Sequence, residues 1–130
     1  EKLESVYRSN TYVQNICVYA DQNHAKPVGI VVPNETAIKS LALELGLIKS
    51  ESDDIHKALH EPKLVNKVSK ALVSTAKSQG LNGIELIAGL VFSDEEWTPQ
   101  NGFVTSAQKL QRKKILEANK KEVDQAYARS

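Results

Sequence analysis

The chain has no methionine, a single cysteine and few aromatic residues, which make up 5% of its 130 positions. A natural translation product begins with methionine, so a chain that opens on Glu1 is expected to be a piece of a longer protein or a processed one. The lone Cys17 excludes an internal disulfide and a cysteine-built metal site. It lies in a strand-like stretch, where a buried, inert thiol is the expectation. The scarcity of aromatics, with a net charge of only +1, argues against a nucleic-acid surface. No apolar run approaches the roughly 20 residues that span a bilayer. Also missing are a G-x-x-x-x-G-K-[ST] loop, a G-x-G-x-x-G turn, a Ser-His-Asp arrangement, an internal repeat and a low-complexity tract.

What remains is an ordinary globular composition, 41% hydrophobic and 25% charged, enough for one domain over 1–130. The charge is unevenly placed. Residues 1–108 carry 10 Lys/Arg against 13 Asp/Glu, whereas 109–130 carry 7 against 3.

Leu3, Val6 and Tyr7 share one helical face, so 2–8 reads as a helix closed by Ser9-Asn10. Residues 13–20 read as a strand, 21–26 as a polar turn, and 28–32 as a second strand covered on both faces, because its apolar run never alternates with polar residues. The short link makes the pair an antiparallel hairpin, and Gly29 marks close packing or a bulge. Asn34 is a helix cap, Ile38, Leu41, Ala42 and Leu45 form the stripe behind it, and Gly46 is the stop. After a charged loop, 55–60 adds a short helical turn. The longest helix starts at Pro62 and ends at Gly80, with Leu64, Val65, Val68, Leu72, Val73 and Ala76 facing inward and Lys63, Lys67, Lys70 and Lys77 solvated. Asn82-Gly83 turns the chain, and the apolar stretch 84–92 reads as a third strand. Helical spacing resumes through Leu116, Val123 and Tyr127, with Asn119 as an interruption. The expected fold is α+β: a two- to three-stranded sheet with a central antiparallel hairpin, surrounded by four to five helices.

The stretch 97–112 carries the candidate chemistry. Trp97 anchors it to the core. Pro99 and then Asn101-Gly102 are turn residues, followed by the β-prone pair Phe103-Val104, Thr105, and Lys109 immediately before the basic end. A mobile lysine at the tip of a domain suits a phosphate or a carboxylate. His56 and His60, at helical i, i+4 spacing, could face a metal, but no acidic or thiol partner is implied at a matching spacing, and no metal site is expected. Arg112, Lys113 and Lys114 either draw in phosphates or form a basic helix surface.

The pattern Asn-Gly-Phe-Val-Thr, three residues, then Lys109-Leu110-Gln111-Arg112 resembles the last conserved motif of the long-chain fatty acyl-CoA synthetases, members of the adenylate-forming superfamily. Ser106-Ala107 stands where many relatives place a proline. Residues 1–7 and the Val-Gly-Ile-Val-Val-Pro run are similar to the fungal type of these enzymes, so the resemblance covers essentially the whole chain. It implies a C-terminal domain of a longer ligase, with Lys109 as the adenylation lysine and Asn101, Gly102, Thr105 and Arg112 as the cofactor-binding loop around it. It also implies that ATP, Mg2+, coenzyme A and a long-chain fatty acid are bound with the N-terminal adenylation domain, none by this domain alone. The small domain would rotate between an adenylating and a thioester-forming pose. The expected setting is the cytoplasmic side, peripheral to membranes or lipid droplets. Two alternatives stay open: a non-catalytic binding module that docks an acidic partner on its basic end, and an adenylate-forming ligase for another acid.

Overall fold

The computed structural model describes residues 2–20, 26–50 and 52–129. Three strands and five α-helices follow one another as α1 (Lys2–Arg8), β1 (Val13–Tyr19), β2 (Val28–Pro33), α2 (Glu35–Glu44), α3 (Pro62–Ser78), β3 (Gly89–Phe92), α4 (Arg112–Ala118) and α5 (Lys120–Arg129). The expected α+β fold and hairpin are both present. The polar turn expected at 21–26 lies outside the described residues except for Lys26.

The sheet runs in the order β1-β2-β3. β1 and β2 are antiparallel, with Ile16 opposite Val31 and Val18 opposite Gly29. The bulge falls between Val13 and Asn15, not at Gly29. Gly29 answers to the other expectation: a Cβ there would stand 3.1 Å from the Ile16 side chain. β3 joins β2 in parallel, Ile30 opposite Val91. A parallel pair needs a long crossover, and here the crossover carries α2 and α3.

β2 is buried along Val28–Val32, as a central strand covered on both sides should be. Successive side chains enter opposite layers. Ile16, Val31 and Phe92 join Tyr7, Ile38, Leu41, Leu64, Val68 and Leu72 in a core under α1, α2 and α3. Cys17, Ile30, Val32 and Val91 join Trp97, Val104, Ile115, Val123 and Tyr127 in a second core under α4, α5 and the segment before them. Asn34 caps α2 by accepting from the Ala37 N–H at 3.3 Å. The expected helical turn at 55–60 is a 3-10 turn, Ala58–His60. Asn119 separates α4 from α5, its amide donating to Ile115 O at 2.9 Å.

The third strand is shorter than the apolar stretch 84–92 suggests. Gly83–Glu85 forms a 3-10 turn and Ile84 is 70% exposed. The reason is tertiary. The Tyr7 hydroxyl donates to Glu85 O at 2.8 Å and accepts from the Ile87 N–H at 3.0 Å, taking backbone groups that a strand would need. Gly83 has φ +57, which a strand does not allow.

Candidate functional site

Residues 93–111 contain no helix and no strand beyond one isolated bridge, so side chains must satisfy much of their backbone. Trp97 is buried in the second core, and its indole N–H donates to the Ser93 hydroxyl at 3.3 Å. Asn101 organises the following turn. Its Oδ1 accepts from the Thr98 N–H at 3.1 Å and the Phe103 N–H at 3.2 Å, while its Nδ2 donates to Glu96 O at 2.7 Å. Gly102 takes φ +83, so any side chain there would be strained.

The chain then closes a small loop. Val104 and Leu110 form an antiparallel bridge, and the Gln111 N–H donates to Phe103 O at 2.8 Å. Within that neck the Thr105 N–H donates to Lys109 O at 2.8 Å, and the Thr105 hydroxyl accepts from the Lys109 N–H at 3.1 Å. Gln108 carries φ +65, the one left-handed non-glycine among the described residues, and it directly precedes Lys109. Lys109 is exposed, and no ion pair forms on it among the described residues. It lines a hollow of about 310 Å³ with Glu4, Arg8, Gln108, Leu110 and Arg112.

Of the five residues singled out in sequence, Asn101, Gly102, Thr105 and Lys109 lie in this loop and Arg112 stands just beyond it. The carboxamide of Asn101 and the hydroxyl of Thr105 are held by the turn and the neck, and Gly102 supplies a backbone angle. Arg112 opens α4 and grips Glu4 with both ends of its guanidinium: Nη2 donates to Glu4 Oε1 at 2.5 Å and Nη1 to Oε2. Glu4 is only 3% exposed and also accepts the Val18 N–H at 2.7 Å. Burial pushes the Glu4 carboxyl up, but the bonds from Arg112 and Val18 outweigh it and hold the group below its ordinary value. Arg112 Nη1 also lies 3.8 Å from Cys17 Sγ. Burial, aided by the Glu4 charge and opposed by Arg112, raises the Cys17 thiol to about 11, matching the inert thiol expected.

Sequence reasoning missed Glu4 and Gln108. The signal for Glu4 was present: it sits on the inward side of α1, one turn before Tyr7, where a carboxylate requires a partner. It also missed the acids beside the histidines. His56 Nδ1 meets Asp54 at 2.5 Å and His60 Nε2 meets Asp94 at 3.3 Å. Asp54 stands two residues before His56, whereas folding brings Asp94 in from a distant turn, which spacing along one helix does not reveal. No group of three or more His, Cys, Asp or Glu forms a metal-ligand set among the described residues. His56, Asp54 and Asp94 border a larger hollow, about 600 Å³, whose rim adds Glu35, Asp53, Glu95 and Glu96 with Lys39 as its one lysine. An acidic rim of this kind repels phosphate. The basic end is less open than its count suggests, since Arg112 is held by Glu4 and Lys120 meets Asp124 at 3.2 Å.

No protein-family model matches the chain. It is 61% identical over 127 residues to long-chain-fatty-acid–CoA ligase 4 of Saccharomyces cerevisiae, covering 98% of this chain and 18% of that protein. Identity is 46% to long-chain-fatty-acid–CoA ligase 1 of Schizosaccharomyces pombe, over 98% of this chain and 19% of that one. The chain thus spans about a fifth of the length of the curated relatives it matches. Among solved structures, the adenylation domain of a carboxylate reductase from Mycobacterium chelonae superposes with a TM-score of 0.77 at 23% identity, over 98% of this chain and 17% of that one. A carboxylic acid reductase didomain from Segniliparus rugosus, in complex with AMP, gives 0.75 at 21% identity, over 98% and 16%. The solved structures establish the fold, and at 60–61% identity the chain is similar to the stretch of the Saccharomyces cerevisiae long-chain-fatty-acid–CoA ligases that it covers.

Proposed function

We propose that the chain is the C-terminal mobile domain of a long-chain fatty acid–CoA ligase of the AMP-forming type, and that Lys109 is the cation it delivers for adenylation. The carrying observation is that Lys109 stands exposed at the end of a closed loop with no carboxylate bound to it among the described residues, while the neighbouring Arg112 is held. Forming an acyl-adenylate brings a carboxylate against the α-phosphate of ATP. Two anions must approach, and charge then spreads over the phosphate oxygens. An ammonium lying between both oxygens relieves the repulsion and stabilises that charge. A lysine suits the task because a compact charge on a flexible stem can enter and withdraw. Asn101, Gly102 and Thr105 serve the site by shaping the loop that presents it.

ATP, Mg2+, coenzyme A and the fatty acid would be held chiefly by the larger N-terminal domain of the same enzyme. The long-chain acid is favoured over other acids by the relatives named above. In the full-length ligase, Lys109→Ala should lower adenylate formation by two to three orders of magnitude. Thioester formation from supplied acyl-adenylate should persist. Equal loss in both half-reactions would make the lysine structural, and acyl-CoA formation by the 130-residue chain alone would refute the division of labour.

A further inference from the structure

We infer that Glu4 and Arg112 form a positioning pair that fixes the neck of the Lys109 loop, so that Arg112 acts through geometry and not as a phosphate ligand. This rests on the role proposed for Lys109. Three cations border the small hollow: Arg8, Lys109 and Arg112. Arg8 Nε donates to Asn15 Oδ1 at 3.3 Å, and Arg112 is bound at both ends by Glu4. Lys109 alone of the three has no side-chain partner among the described residues.

A connected path runs from the sheet to the lysine. β1 is an edge strand, and its outward Val18 N–H fixes the Glu4 carboxylate. Glu4 fixes Arg112 through two parallel hydrogen bonds, a geometry that removes rotation as well as translation. Arg112 is the first residue of α4, and the Val104–Leu110 bridge lies immediately before it. Beyond that bridge the chain reaches Lys109. Moving Arg112 onto a phosphate would take its guanidinium from a carboxylate that is 3% exposed, an unfavourable exchange.

The experiment uses the full-length ligase and compares Glu4→Gln, Arg112→Lys and Arg112→Gln in the two half-reactions, with Lys109→Ala and the double variant Lys109→Ala/Arg112→Gln alongside. A misplaced catalytic group typically loses rate without losing ligand. Glu4→Gln and Arg112→Gln should therefore each lower the kcat of adenylation on the order of 10- to 100-fold, with the KM for ATP and the thioester half-reaction unchanged. Arg112→Lys keeps the charge but loses the fork, and should fall between Arg112→Gln and the parent. The double variant should be no slower in adenylation than Lys109→Ala alone. A raised KM for ATP at unchanged kcat would overturn the inference by making Arg112 a nucleotide ligand. Equal losses in both half-reactions would reduce the pair to a fold support, and undiminished adenylation would make it idle. Full adenylation by Lys109→Ala would instead sink the underlying reading, and this inference with it.

Discussion

On one side of the sheet, α1, α2 and α3 cover a core of Tyr7, Ile16, Val31, Leu64 and Leu72 with regular, periodic helices. On the other, the segment 93–111 does much of the covering before α4 and α5 begin, and it holds its shape through Ser93, Thr98, Asn101 and Thr105. The first side buries apolar area and satisfies most of its backbone within helices, with Asn34 and Tyr7 serving a few groups. The second places polar side chains on backbone groups and keeps one lysine clear of all of them. The contrast shows how a small domain can separate its two tasks: bulk stability comes from the helical layer, and presentation of a cation comes from the turn-rich layer.

Substitutions on each side should therefore fail differently. The largest stability loss is expected from Leu72→Ala on α3, where a fully buried side chain is truncated. A cost of about 2–5 kcal/mol is typical of such a cavity, read as a fall in Tm. In the full-length enzyme any residual loss should touch both half-reactions alike, and a selective loss of adenylation would blur the proposed separation.

A smaller effect is expected at Gln108, whose φ of +65 precedes the lysine. A β-branched residue tolerates that angle poorly, so Gln108→Val should cost roughly 1–2 kcal/mol locally and slow adenylation. Gln108→Gly should preserve the rate. If both variants adenylate normally, the left-handed residue is incidental to the placement of Lys109.

The smallest effects are electrostatic and divide by pH. The hydrogen bond that the His56 ring donates to the Asp54 carboxylate, with further help from the Asp94 backbone, raises His56 above its ordinary value. Stability from this contact is complete below the unfolded histidine pKa and fades as pH rises through the folded one. His56 is exposed, so the change in Tm against a His56→Gln variant should be slight. Glu4 behaves oppositely because its folded pKa is depressed. Its contribution is present above the ordinary glutamate range and is lost as pH falls through the folded value. The stability that Arg112→Gln loses at neutral pH should therefore shrink as pH falls through the Glu4 range, and a deficit independent of pH would deny Glu4 this role.

The helical layer was legible because its cues are local. The stripe on α3, Pro62 at its start, Gly80 beyond its end and the Asn34 cap all act within a few residues. The Asn101-Gly102 turn was legible for the same reason: its chemistry is contained between Glu96 and Phe103. The misses all involve long-range partners or strained angles. Apolarity at 84–92 suggested a longer strand, but Tyr7, far away in sequence, captured the backbone at Glu85 and Ile87. The Glu4 partner of Arg112 was hidden because nothing near Arg112 in sequence names it. Gln108 has a side chain that does not advertise a left-handed backbone.

The carboxylate of Glu4 has one more effect, on the outer margin of the sheet. By accepting the Val18 N–H it closes a donor that would otherwise stand open on the flank of β1 that pairs with no strand among the described residues. Open donors on such a flank are what a second polypeptide uses to add itself as another strand. Chains that lose this plug should show a self-association that grows with concentration, a hazard arising from the same side chain that steadies the lysine.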